Sequence, residues 1–110
     1  MTPKETLVKF LEAWKAKNYN KMFKFSQVTY KSNHSKNEIE KIFSELKLES
    51  FEISNTIQSG IAAIKAPVKL KVNGKEFFVN AMIIRETAPY RPSAESGIWG
   101  VNPISILGNG

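Results

Sequence analysis

Few side chains in this chain can attack, titrate or ligate. All ten acidic residues are glutamate, aspartate and cysteine are absent, and His34 is the one histidine. Those absences exclude a Ser-His-Asp triad, an aspartate phosphoacceptor, an EF-hand loop, thiolate metal sites and cysteine nucleophiles. One histidine also excludes a multi-histidine metal centre. Neither a metal site nor a cofactor is expected. His34 stands between Asn33 and Ser35 in a polar stretch, where a solvated side chain is the expectation. Glu52 alternates with Phe51 and Ile53 and should face water. Glu76 and Glu86 fall near the ends of a predicted strand, Glu86 on its mostly polar side. A general base needs a positioned carboxyl with a shifted pKa inside a pocket. The pattern places none of these there, so no catalytic residue is assigned and the balance is against an enzyme. Tyr90 and Arg91 share a proline-rich segment. An arginine beside an aromatic ring can take a carboxylate or phosphate, although a solvated loop is the plainer reading.

The net charge is +6, and all of it lies in residues 1–37, where eight lysines accompany only Glu5 and Glu12. Lys15, Lys17, Lys21, Lys24 and Lys31 form a diffuse basic patch. Electrostatic docking to an anionic partner or surface is one reading of it, and a solvated helix face is the plainer one. Nucleic acid is not the expected partner, because 14 lysines stand against 2 arginines and no zinc-finger or RNP motif is present.

These residues must be positioned by a helical half followed by a strand half. Thr2, Pro3 and Glu5 give an N-cap, a first-turn proline and a capping-box acid, and Leu7, Phe10, Leu11 and Trp14 recur on one helical stripe. Lys17-Asn18 reads as a break before a short helix with Tyr19, Met22 and Phe23. Residues 28–34 read as a loop. Ser35 and Glu38 make a second capping box, followed by Ile39, Ile42, Phe43 and Leu46 on a helix expected to end near Lys47. The period then changes to two, with Phe51, Ile53 and Ile57 in a first strand. Runs 61–72 and 75–86 flank Asn73-Gly74, the strongest short hairpin signal. A two-residue turn sets Val72 opposite Lys75, Leu70 opposite Phe77, Val68 opposite Val79, Ala66 opposite Ala81 and Ile64 opposite Ile83, all on one apolar face. The other face sets Lys71 opposite Glu76, an expected ion pair, and carries Phe78, Met82 and Ile84 among polar residues. Pro67 demands an edge or a bulge nearby. Residues 87–97 are expected to be an irregular loop, 98–107 a last strand bent at Pro103, and 108–110 a frayed end.

Composition fits one globular domain: 42% of the 110 residues are apolar and 24% charged. No apolar run approaches the ~20 residues of a membrane span, and Pro3, Lys4 and Glu5 interrupt any signal-peptide pattern. The compartment is left open.

The opening Thr2-Pro3-Lys4-Glu5-Thr6, leading into Phe10-Leu11-Glu12-Ala13-Trp14-Lys15 and then Asn18-Tyr19-Asn20-Lys21-Met22, resembles the start of the nuclear transport factor 2-like (cystatin-like α+β) superfamily. The run Gly97-Ile98-Trp99-Gly100-Val101 is similar to the tryptophan-bearing final strand common there. The likeness extends to the small bacterial members, which are often not catalytic. The resemblance implies a single α+β domain over residues 1–110. Three N-terminal helices (about 3–47) would pack on a curved antiparallel sheet of about four strands (about 49–107), giving a cone. It also implies a cleft between helices and sheet for a small apolar ligand, lined by Trp14, Tyr19, Phe23, Val79, Ile83 and Trp99. Members resembling ketosteroid isomerase use an acidic base, usually aspartate, which this chain lacks. Three functional expectations follow. The first is a non-catalytic binding or assembly domain, homodimeric through Phe78, Met82 and Ile84 on the outer sheet face. The second is a small-molecule binder or isomerase-like enzyme using the cleft. The third is the electrostatic docking described above.

Overall fold

The computed structural model describes residues 1–107. Both capping boxes form: Thr2 with Glu5 opens helix α1 (Pro3–Lys15), and Ser35 with Glu38 opens helix α4 (Lys36–Phe43). Helix α1 ends in a Schellman motif. Lys17 takes the left-handed conformation at φ 58°, its N–H reaches Trp14 O, and Asn18 N–H reaches Ala13 O. Asn18 then caps α2 (Tyr19–Lys24) through its side chain. The expected loop at 28–34 is instead a helix, α3 (Val28–Asn33), so four helices precede the sheet rather than three. It escapes sequence reading because it is six residues long, has no apolar stripe and receives no cap from its own N-cap residue Gln27. Helix α4 stops at Phe43, one turn before the expected Lys47.

The sheet is antiparallel throughout and curls into a half-barrel. Its strands are β1 (Leu48–Ile53), β2 (Ile57–Gln58), β3 (Ala63–Val72), β4 (Lys75–Ala88), β5 (Arg91–Pro92) and β6 (Ile98–Val101). Every expected β3–β4 partner is paired, from Val72 with Lys75 to Ile64 with Ile83. Asn73 and Gly74 sit at φ 51° and 81°, as a type I′ turn requires. The expected Lys71–Glu76 ion pair does not form. Glu76 instead meets Lys69 on the diagonal at 3.2 Å.

Strand β3 is central, yet Pro67 fits in it. Its neighbour on that side is broken between Ile53 and Ile57, and Pro67, with no N–H to satisfy, only accepts from Ser54 N–H at 2.9 Å. The expected single first strand is accordingly two, β1 and β2. The loop at 87–97 is less irregular than expected, since β4 runs on to Ala88 and pairs with the two residues of β5. The last strand is shorter than expected, ending at Val101. Pro103 does not bend it. It is the first residue of helix α5 (Pro103–Ile106), capped by Asn102, a signature present in the sequence but masked by the apolar residues around it. The frayed end expected at 108–110 lies outside the described residues.

The core fills the inner sheet face. Ala66, Val68, Leu70, Val72, Ala81 and Ile83 pack with Leu7, Phe10, Leu11, Met22, Ile39 and Phe43. Helix α1 reaches from β1 to β6 across this face. Phe43 receives Phe10 and Trp14 edge-on, at centroid distances of 6.2 and 5.0 Å. Among the described residues no helix is long and apolar enough to cross a membrane.

Candidate functional site

A groove of about 410 Å³ opens where the β3–β4 hairpin projects past the helices. Trp14 from α1 and Leu46 from the α4–β1 connection form its floor on the helical side. Leu70, Val72, Phe77, Phe78 and Val79 line it from the hairpin, and Ile106 and Leu107 close it from the C-terminal side. Trp14 is held in place by its indole N–H, which donates to Leu46 O at 2.7 Å. Asn73 ties the same corner together: its side chain accepts from Lys47 N–H and donates to Glu45 O. Asn73 and Lys75 are the polar side chains of the lining, which contains neither a carboxyl nor an imidazole.

Of the cleft residues expected from sequence, Trp14 and Val79 line this groove and the other four do not. Ile83 is fully buried in the core, and Tyr19 and Phe23 pack at the core's edge. Trp99 lines a separate cleft with Phe25, Ile98, Lys24 and Lys31. Its ring lies 5.6 Å from the Arg85 guanidinium, which also donates to the carbonyls of Ala94 and Glu95. Lys31 Nζ donates to Lys24 O, and partial burial pushes the Lys31 pKa down. The other apolar groove residues carry different signals in the sequence. Leu70 and Val72 are core residues on the expected inner face that also border the groove, and Phe77 lies on the same face but is 46% exposed. Leu46 belongs to the expected end of α4, Phe78 to the expected outer sheet face, and Ile106 and Leu107 to the expected last strand.

Glu86 differs from expectation. It is 2% exposed rather than on a polar surface. Its carboxylate accepts from Thr29 N–H at 3.0 Å and from the Thr29 hydroxyl, giving α3 the N-terminal cap that Gln27 does not supply. Thr29 Oγ1 in turn accepts from Tyr90 N–H at 2.7 Å. Tyr90 is held at φ 62° and is 70% exposed, and Arg91 is exposed in β5. Neither joins the groove. Thus a buried carboxyl exists, but it anchors a helix and does not face the groove.

His34 ends α3, stacks on Tyr30 at 4.2 Å and bonds Glu38 through Nδ1 at 2.7 Å. The His34 and Ser35 hydrogen bonds hold the Glu38 carboxyl below its usual range. Burial pushes the Tyr30 phenol up, aided by the nearby Glu38 charge. The Tyr30 hydroxyl is buried without a hydrogen-bond partner among the described residues. On the outer face Phe78 is 79% exposed, whereas Met82 and Ile84 are half-buried. Among the described residues no cluster of three or more acidic or imidazole groups could hold a metal. The chain matches no protein-family model and no curated protein sequence.

Proposed function

We propose that the chain is a non-catalytic binding domain that holds an apolar group in the groove between Trp14 and the end of the β3–β4 hairpin. Phe77 carries this reading. It lies on the sheet face that packs the core, yet it is 46% exposed because the groove opens over it. A concave apolar surface with a few polar groups is the usual form of a small-molecule site. Lys75 at the rim favours a small amphiphile with an acidic head, its chain against Phe77 and Trp14. An isomerase-like reading is weaker, since the one buried carboxyl, Glu86, is engaged by Thr29 away from the groove. The fold belonging to this reading is a nuclear transport factor 2-like cone, supported by helices preceding a sheet that curls around α1.

Tryptophan emission tests the reading, because Trp14 lines the groove and Trp99 does not. In a Trp99→Phe background, titration with decanoate should give a saturable change in Trp14 emission that Phe77→Asp abolishes. No change up to about 1 mM, the affinity equivalent of about 4 kcal/mol, would contradict it.

A further inference from the structure

The outer edge of β4 changes character at Met82. Met82 turns its N–H to Ser105 Oγ and its C=O to Asn102 N–H, so that edge is closed by the start of α5. Met82 is opposite Lys65 in β3, and backbone polar groups on a strand alternate between its two sides. Glu76, Phe78 and Asn80 share Met82's parity and point their N–H and C=O groups the same way. Among the described residues nothing pairs with them there: β5 and β6 meet β4 only from Ile83 onward. The open edge therefore runs from Lys75, just after the turn, to Ala81, just before the α5 closure.

Phe78 is the midpoint of that seven-residue window and is 79% exposed. Unpaired strand edges are templates for another strand, and proteins protect them with charge, bulges or covering elements. Here the protection is thin. Lys75 and Glu76 lie at one end, and the middle is Phe77-Phe78-Val79.

We propose that this edge pairs antiparallel with the same edge of a second copy of the chain, with Phe78 on the two-fold axis, so that the two sheets become one. The occupant is argued from the window itself. A two-fold axis at Phe78 sets Lys75 opposite Ala81, Glu76 opposite Asn80 and Phe77 opposite Val79, so no like charges face each other. It covers the open edge from turn to α5 and no more. Phe78 meets its own copy on the outer face, and the half-exposed Phe77 meets Val79 on the inner face. Shifting the axis to residue 77 would set Phe78 opposite Glu76. Shifting it to 79 would drive Lys75 against Ile83, beyond the closure at Met82. The interface is an edge rather than the outer face through Met82 and Ile84, and it shares Phe77, Phe78 and Val79 with the lining of the groove.

The absence of cysteine makes the register directly readable. Opposed hydrogen-bonded residues lie about 5.5 Å apart at Cα, inside the range a disulfide spans. Phe78→Cys should therefore crosslink under mild oxidation, whereas Glu76→Cys alone and Asn80→Cys alone should not, being four residues out of register. A mixture of the Glu76→Cys and Asn80→Cys chains, which retains Phe78, should crosslink as a heterodimer. In sedimentation the unmodified chain should show dimer at about 100 μM, and Phe78→Glu should lower the dimer fraction at least tenfold. A strictly monomeric chain at that concentration would overturn the proposal. So would a dimer that crosslinks through Glu76→Cys alone, or one that persists in Phe78→Glu.

Discussion

Glu86 joins two parts of the chain that are 57 residues apart, and its environment sets its role. A buried carboxylate persists only when its oxygens are satisfied, and here Thr29 supplies both partners. Glu86→Leu would orphan the Thr29 N–H in the first turn of α3 and leave the Thr29 hydroxyl without its acceptor. It should cost about 2–3 kcal/mol by urea unfolding, with Glu86→Gln costing about half of that. A loss under about 0.5 kcal/mol for both would contradict the capping role. Tyr30 makes the opposite case, a buried polar atom without a partner among the described residues. Its pKa is raised in the folded chain, so its contribution is fully present below the unfolded value of 10.0 and is lost as pH rises through the folded value. Tyr30→Phe should match or exceed the parent in stability at neutral pH. It should also lose less stability above pH 10, read from unfolding curves across the alkaline range.

At the scale of elements, legibility followed the range of the signals. Asn73-Gly74 and the two capping boxes are local, and each produced the expected turn or helix start. Helix α3 was hidden because its cap comes from Glu86, a partner no window of sequence contains. Helix α5 was hidden in plain form, since Asn102-Pro103 is a start signal overshadowed by Ile104 and Ile106. Of the expected cleft, Trp14 and Val79 were legible because a register and a helical stripe point them inward. The groove's true position was not, because it depends on how far the helices extend along the hairpin. Two glycines show how differently one residue type can be constrained. Gly74 has positive φ and open space around it, so Gly74→Ala should cost only about 1 kcal/mol. Gly100 is tied to no unusual φ, but a Cβ there would lie 2.5 Å from Gln27 Cα and 2.6 Å from Ser26 O. The chain from α2 to α3 crosses β6 at that point, so Gly100→Ala should cost more than about 3 kcal/mol or prevent folding. Equal effects of the two substitutions in thermal unfolding would contradict this packing.

Across the whole molecule, exposed apolar side chains are spread widely, with Met1, Ile61, Tyr90 and Ile98 exposed as well as Phe77 and Phe78. The excess lysine lies in residues 1–37, while the open groove and the open strand edge both lie at the hairpin end. At the hairpin end Phe77 and Phe78 are uncovered side by side, which is the surface both proposals use. The groove is bordered by two tertiary ties, Trp14 to Leu46 and Asn73 to Glu45 and Lys47, which on the proposed reading shape it in advance of any ligand. Methyl NMR during titration with decanoate reads this most directly. Saturable shifts confined to Leu46, Leu70, Val72, Val79, Ile106 and Leu107 are expected, with Leu7, Leu11 and Ile39 unmoved. Shifts centred on Ile98 beside Trp99, or none at saturating decanoate, would contradict it.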